Sequence, residues 1–502
     1  MENHIPFDLA SLQSWYERPE RVLLYCGLLP AALLTPTANG FDTSMTNALQ
    51  TIPAFQEHFD SPTGSSLGFF GAAQSIGGIV SIFLGTFLSD KFGRRCPLAV
   101  GSVVIIGSTF GQVWAVNFGM FCAFKVIIGI GIGLIQLGAA PLVAELVHPK
   151  ERVAITNLFN TSIYIGVIVG AWVSYGTYTI DSDWAWKIPC ILQIVCSVYQ
   201  LCFIYLCPES PRWLIAHGKS DKAKALLTKY HGAGEPNNAL VDWEFAEMVE
   251  AITLEQSAQL SWKELLQNKG MLWRAFICVC CGVFSQTSGN GLISAYLTTI
   301  LHGAGIRDAK SVTLINGGIS IWSWIIGVAC AVLTSKFRRR PLFLYGTSAM
   351  LAIFIGWTIA QARYDISGVP AAGYAVIALI FLYNAAYAFC WLYLVVGYPI
   401  EIAPYLWRAR LWALTLLSIF ISAFFNQYVN PIGLENIGWK YYVYYDVWIA
   451  IEIVIIYFFF PETSGRTLEE IAVIFDGESA ALSAGMDEKV SAGVETTHAE
   501  KQ

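Results

Sequence analysis

Asp42, Lys125 and Glu452 are ionisable side chains placed inside runs apolar enough to cross a bilayer. Charge in hydrocarbon is costly, so residues of this kind mark ion or substrate pathways and proton relays. Asp42 is the first choice for energy coupling, because a carboxyl changes its proton occupancy when its surroundings change. For Glu452 two readings stay open, an intramembrane hydrogen bond and a boundary position near the outer face. A second chemistry is polar without charge. Thr287-Ser288-Gly289-Asn290-Gly291 interrupts an apolar run with hydroxyls, an amide and two glycines, directly after Gln286. Such groups donate and accept hydrogen bonds and suit a hydroxyl-rich ligand.

Charged motifs recur along the chain. Ser89-Asp90-Lys91-Phe92-Gly93-Arg94-Arg95, closed by Cys96-Pro97, returns 245 residues later as Ser335-Lys336-Phe337-Arg338-Arg339-Arg340 with Pro341. Glu145 and Arg152 are echoed by Glu401 and Arg408 after 256 residues, and Pro208-Glu209-Ser210 by Pro461-Glu462-Thr463 after 253. Three signals at nearly one offset make the chain two copies of one unit. Charges at these spacings can bridge helix ends, so Asp90, Arg94, Arg95, Glu145, Arg152, Glu401 and Arg408 are expected to gate rather than to bind. The second copy has Ser335 and Arg338 where the first has Asp90 and Gly93. That difference predicts an inner gate held more firmly by the N-terminal half.

The elements that must position these residues follow from composition. Soluble domains are about a quarter charged; this chain of 502 residues is 13% charged and 55% hydrophobic. An all-α, polytopic membrane protein is expected. A membrane-crossing helix needs about 20 mainly apolar residues, and twelve runs qualify: 22–44, 65–88, 97–116, 120–142, 154–175, 186–206, 273–301, 310–334, 341–361, 371–398, 409–429 and 440–460. They group as an N-terminal six-helix half (1–206), a linker (207–270), a C-terminal half (271–460) and a tail (461–502). The tail is acidic and rich in small residues, hence expected to be disordered. In the linker, Lys222–Leu227 and Trp243–Met248 read as short amphipathic helices on the surface. With 24 of the 30 Lys and Arg on the side of the termini, the positive-inside rule places both termini and the linker in the cytosol.

Several functions are disfavoured. No nucleophile–base set or phosphate-binding loop is present, so an enzyme is not expected, nor a cofactor, nor nucleic acid as a partner. The 12 cysteines lie mostly in apolar runs and read as packing residues. None of the seven histidines clusters in sequence with acids or cysteines, so no metal site is expected. Met1–Glu20 has no apolar core with a cleavage site, which predicts no signal peptide. The sequon at Asn160-Thr161-Ser162 lies within a span, where it would not be glycosylated.

Two parallel six-helix halves joined by a linker fit a known transporter scheme, in which broken helices line a site near the midplane. The expected breaks are Thr35–Gly40 in span 1, Pro141 in span 4 and Thr287–Gly291 in span 7. Single glycines such as Gly129, Gly131 and Gly133 read instead as close helix packing.

From about Gly40 to Gly465 the chain resembles the sugar porters of the major facilitator superfamily. The resemblance is carried by Asp90-Lys91-Phe92-Gly93-Arg94-Arg95, Glu145 with Arg152, Pro208-Glu209-Ser210-Pro211-Arg212, Gln286 with Ser288-Gly289, Glu401 with Arg408, and Pro461-Glu462-Thr463-Ser464-Gly465. Phe284-Ser285-Gln286 with Ser288-Gly289-Asn290-Gly291, and Tyr398-Pro399 before Glu401, resemble the fungal lactose-permease and cellodextrin-transporter branch. The likeness implies a site. Asp42 matches the Asp of proton-coupled members, and Lys125 stands where they carry an Arg on span 4. Lys lacks the bidentate fork of Arg, but it keeps a cation facing the anion. Separating the two would favour proton uptake; a static structural pair is the competing reading. Gln286 matches the second of the family's paired glutamines, Ser285 the first, and Asn160 its span 5 glutamine. The family's next Asn falls on Gly291, one place after Asn290. Val396 replaces its span 10 Trp, for which Trp391 is the substitute. Smaller residues at Ser285, Asn160 and Val396 imply either a larger cavity, suited to a disaccharide, or loss of sugar recognition. Tyr296, Trp322, Trp324, Tyr383 and Tyr387 are expected to pack or to anchor at the interface.

The resemblance thus implies a proton-coupled sugar importer, for a disaccharide or oligosaccharide such as lactose or cellobiose, working as a monomer in the plasma membrane with sugar, proton and lipid as its partners. A secondary-metabolite exporter and a transporter-like nutrient sensor are the alternatives. Asp42 argues against a passive facilitator.

Overall fold

The computed structural model describes residues 15–476 apart from 233, 236–237, 258–267, 307, 334–336, 405–406 and 465–467. Twelve helices are long and apolar enough to cross a membrane. Spans 1 to 6 cover Pro19–Leu49, Gly64–Phe92, Arg95–Val113, Phe118–Leu146, Leu158–Thr177 and Trp184–Phe203. Spans 7 to 12 cover Lys269–Thr287, Ser311–Cys330, Arg339–Ser367, Pro370–Ile402, Arg410–Ile437 and Lys440–Phe459. Span 7 is continued by a second helical piece, Asn290–Gly303.

The repeat seen in sequence governs the packing. Span 1 lies on span 5 as span 7 lies on span 11, and span 3 on span 4 as span 9 on span 10. The halves meet mainly through spans 2 and 11, spans 5 and 8, and span 1 against Asn290–Gly303. Each half has its own apolar core, one built around Trp357, Trp391 and Tyr398, the other around Phe55, Phe121 and Trp186. Small residues permit the closest approaches: a Cβ on Gly40 or Gly166 would lie 2.0 or 1.9 Å from a backbone oxygen of the opposing helix. Spans 1 and 5 therefore run backbone against backbone.

The expected breaks fare unequally. Span 7 is broken at Ser288-Gly289, where Gly289 takes φ +103°, a conformation glycine adopts without a Cβ penalty. In span 1 the irregularity lies earlier than expected. A π-helical stretch Leu23–Leu28 and a turn at Leu34 precede a continuous helix Thr35–Leu49. Pro36 sits in that helix's first turn, where a missing N–H costs nothing. Pro141 lies inside the continuous helix Phe118–Leu146, so span 4 is not interrupted.

The linker contains helices Pro211–Ala216, Ser220–Tyr230 and Ala239–Ser257, which include both expected amphipathic segments. The tail departs from expectation. Leu468–Asp476 is a helix, and Arg274 at the start of span 7 grips Asp476 through two bonds of 3.0 and 2.8 Å. Phe475 packs against Trp273 with ring centroids 4.7 Å apart. The expected disorder of the remainder, 477–502, lies outside the described residues.

Candidate functional site

Asp42 and Lys125 meet. Lys125 Nζ lies 3.4 Å from Asp42 Oδ2, with the two side chains 0% and 1% exposed. The ammonium also bonds Thr46 Oγ1 and stands 4.9 Å above the Phe70 ring. Thr46 in turn donates to the Asp42 carbonyl at 2.7 Å. Asp42 Oδ1 has no hydrogen-bond partner, so a buried carboxylate is held through one oxygen by one cation. Such a pair persists only while its geometry does, since each charge is costly alone.

The second part of the site is the break in span 7. Interrupting a helix frees backbone carbonyls, which must find donors inside a membrane. Here neighbouring helices supply them. The Ser285 carbonyl accepts from Tyr387 Oη at 2.8 Å, that of Gln286 from Asn426 Nδ2 at 2.6 Å, and that of Ser288 from Tyr383 Oη at 2.5 Å. Tyr445 Oη holds Asn426 through Oδ1 at 2.6 Å. Tyr383 and Tyr387, expected as ordinary packing residues, therefore stabilise the break. Asn426 was missed because an amide in span 11 has no evident partner in sequence until the break beside it is seen.

Of the residues matched to the sugar site, Gln286 and Asn290 flank the break and are half-buried. Asn160 is half-buried in the opposite half. Ser285 is buried; its hydroxyl donates to the Gly282 carbonyl at 2.9 Å and accepts from Gln286 Nε2 at 3.3 Å. Trp391 is not an open aromatic platform. It is fully buried between Phe343 and Phe284, with centroids 5.0 and 6.0 Å away. Asn39 and Gln74, half-buried and joined at 2.8 Å, and Ser75, joined to Gln427 across the two halves at 3.2 Å, complete a polar middle layer that sequence reasoning missed. Asn39 had a signal, lying within the polar Thr35–Gly40 cluster; the other three lie in polar pairs, Gln74-Ser75 and Asn426-Gln427, within apolar runs.

At the end away from the linker the halves touch. Thr298 Oγ1 reaches the Asn47 carbonyl at 3.4 Å, and the space among Asn47, Thr51, Leu297, Thr298 and Asn316 is only about 10 Å³. That is scarcely one water molecule, so this side is shut.

The repeated charged motifs build matching latches at the linker end. Glu209 accepts from the backbone N–H of Arg94 at 2.9 Å and of Arg95 at 3.4 Å; Glu462 accepts from Arg339 at 3.0 Å and Arg340 at 3.2 Å. Each carboxylate caps the start of span 3 or span 9. Ser210 Oγ donates to Glu145, and Thr463 Oγ1 donates to Glu401 at 2.8 Å. These ties lie within one half each, not across the gate. The expected asymmetry is also reversed in distance, for Arg339 bonds Glu401 at 2.8 Å whereas Arg94 stands 3.9 Å from Glu145 and 3.8 Å from Asp90. Ser335 lies outside the described residues. Arg152 is 3.9 Å from Glu244 of the linker, and Arg408 opens span 11.

Contrary to expectation, histidines do gather with acids. His231 Nδ1 lies 2.7 Å from Glu244, His148 Nδ1 lies 3.3 Å from Glu151, and the two imidazoles are 5.3 Å apart. Arg21, buried at the start of span 1, donates to the carbonyls of Tyr230 and His231 at 2.9 and 3.0 Å. Burial holds His148 below its usual range. Burial pushes Glu151 and Glu244 upward, but the histidines and arginines beside them outweigh it, so both sit below theirs. His148 and Glu151 are three residues apart, but the fold alone brings that pair beside His231 and Glu244. Among the described residues no group of side chains has the makings of a metal site.

Two six-helix repeats, a buried acid–base pair in one and a propped helix break in the other define a membrane transporter. Residues 28–475 match the family described as "Sugar (and other) transporter". The chain belongs to that family, the sugar porters of the major facilitator superfamily. Among curated proteins it is 26% identical over 463 residues to high-affinity glucose transporter 1 of Candida albicans, covering 87% of this chain and 83% of that one. It is 30% identical over 399 residues to the sugar transporter STL1 of Saccharomyces cerevisiae, covering 78% and 68%. The fold matches the xylose transporter XylE from E. coli in a partially occluded inward-open conformation, with TM-score 0.73 and 22% identity over 88% of this chain and 99% of that one.

Proposed function

We propose that this chain is a proton-coupled sugar importer of the plasma membrane, with both termini and the linker in the cytosol and each chain working as a monomer. The observation that carries the reading is the Asp42–Lys125 pair, closed off from solvent and completed by Thr46. When the carboxyl takes a proton the attraction to Lys125 is lost and span 1 is released from span 4. The released ammonium keeps Thr46 and the face of Phe70 as partners, which lowers the cost of the separated state. Gln286 and Asn290, on either side of the break, and Asn160 in the other half supply the polar groups for the sugar hydroxyls, while Ser285 and Trp391 support span 7 from behind.

The relatives bear the names of glucose and sugar transporters. Asn160 and Val396, half-buried and smaller than the residues they replace, extend the range to disaccharides such as lactose and cellobiose. The test is expression in a yeast lacking its own sugar transporters, with uptake of labelled glucose, xylose, lactose and cellobiose measured with and without a protonophore. Accumulation that collapses with the protonophore is expected. Absence of uptake of all four by surface-expressed protein would overturn the proposal.

A further inference from the structure

Glu452 has no part in the reading above, and its surroundings are unusual. It sits in the interior of span 12 with 0% exposure. Its Oε2 lies 2.8 Å from Ser288 Oγ, and its Oε1 has no hydrogen-bond partner. Ser288 is the residue before Gly289, the point at which span 7 breaks. The titratable neighbours are Cys280 on span 7, Tyr383, Tyr387 and Cys390 on span 10, and Tyr444 on its own helix. Asp446, also on that helix, bonds Thr358 of span 9 at 2.8 Å. No cation among the described residues faces the carboxyl. The nearby Trp448 indole donates to Thr287 at 2.9 Å.

Hydrogen counting decides the protonation state. A serine hydroxyl has one hydrogen to give, yet Ser288 Oγ contacts both the Phe284 carbonyl and Glu452 Oε2. A carbonyl and an acceptor-only carboxylate cannot both receive that one hydrogen in a full two-centre bond. If Ser288 completes its bond to Phe284, the hydrogen between Oγ and Oε2 must come from the carboxyl. The alternative is an ionised carboxylate buried with only Ser288 and Trp448 as hydrogen-bonding neighbours and no counter-charge, an arrangement buried charges avoid. We propose that Glu452 is a second proton-binding site of the transporter, and that its proton, given to Ser288, holds span 7 in the broken form beside Gln286. Loss of that proton would draw the Ser288 hydroxyl to the carboxylate and away from Phe284. It would also place a charge where water can enter only if span 7 moves. The same carboxyl thus senses the hinge that carries the sugar-binding amide.

This rests on the transporter reading but not on Asp42 or on which sugar is carried, so the test is done on purified full-length protein in liposomes. Infrared difference spectra recorded across a pH titration report the C=O stretch of protonated carboxyls. A band from a buried acid is expected in the wild type and in D42N, shifted in S288A and missing in E452Q. Sugar counterflow, which needs no net proton movement, is expected to decline in the wild type at alkaline pH by about tenfold per pH unit once the group has titrated. In E452Q that decline should be gone. A carboxyl band or an alkaline decline unchanged in E452Q would overturn the proposal. If E452Q does not fold, the wild-type and S288A spectra decide it, and an S288A band identical to that of the wild type is the refuting outcome. A wild type that moves no sugar but keeps the band fails the functional reading alone.

Discussion

Replacing Asp42 by Asn separates the charge of this residue from its shape. In the folded protein Lys125 is 0% exposed and its one anionic partner within contact is Asp42 at 3.4 Å. Removing one member of a buried pair leaves the other uncompensated, at a cost of about 3–5 kcal/mol. Thr46 and the Phe70 ring remain, and a desolvated cation over an aromatic face is worth up to about 2 kcal/mol. Roughly 1–3 kcal/mol is therefore expected for D42N, on the order of ten- to a hundredfold in the folding equilibrium. D42N/K125M removes both charges and should recover most of that stability, because a pair replaced by apolar packing is often neutral. Function should not recover with it. Both variants are expected to exchange labelled sugar across a membrane yet fail to accumulate it against a gradient. Thermal unfolding in detergent and paired uptake and counterflow assays in vesicles measure the two arms. Concentrative uptake by D42N at wild-type levels would refute the coupling argument. A D42N/K125M protein no more stable than D42N would refute the electrostatic one.

Two further perturbations probe the supports of the site. At Gly289, alanine must adopt φ +103° and place its Cβ 2.6 Å from the Phe354 ring. The backbone strain alone is about 1–2 kcal/mol, so G289A should lower thermal stability, and F354L in the same chain should restore the packing share but not the rest; full stability in G289A would show that the break is not fixed by this residue. The second concerns pH. His148 titrates below its usual 6.5 in the folded protein, so its contribution to linker docking is present above 6.5 and is lost as pH falls through the lowered value. Glu151 and Glu244 are also held low, and their contributions are lost in the same direction at still lower pH. Hydrogen exchange in Ser220–Tyr230 and Ala239–Ser257, corrected for intrinsic rates, should rise steadily on acidification, with the upper part of the rise absent in H148Q; pH-independent protection would contradict the linkage.

Much of this was legible in the sequence where the physics is local or repeated. Hydrocarbon thickness sets the length of apolar runs, so all twelve spans were readable to within several residues. The charge echoes disclosed the repeat, whose Glu209 and Glu462 cap the helix starts beside the echoed arginines. Asp42 and Lys125 stood out because ionised groups are rare in such runs. What remained hidden depends on contacts between distant segments. Nothing in Pro141 or in the Thr35–Gly40 cluster distinguishes a break from a tolerated residue, since neighbouring helices decide whether freed carbonyls find donors. Trp391 looked available because sequence does not say which face of span 10 turns inward. The approach of His231 and Glu244 to His148 and Glu151 needed the linker folded back onto span 1. The tail helix was missed for the same reason, as its anchor Arg274 lies about 200 residues away.

The two copies agree where the chain must be stiff and differ where it must change. Glu209 and Glu462 cap their helices alike, and Ser210 and Thr463 hold Glu145 and Glu401 alike, so the linker end of each half is tied to itself. Charge-assisted bonds of this kind are the stronger class. The polar contacts between the halves are neutral and longer, 3.4 Å from Thr298 to Asn47 at the far end and 3.2 Å from Ser75 to Gln427 in the middle layer, and bonds of that length are weak. A movement that parts the halves at the far end thus breaks little, while the latches keep each half intact as it turns. The differences between the copies follow the same division. The N-terminal half stores a charge pair between spans 1 and 4. The C-terminal half stores a broken helix propped by Tyr383, Tyr387 and Asn426. On the proposed reading the charge pair answers a proton and the broken helix a ligand, and spans 2, 5, 8 and 11, packed across the interface, link the two.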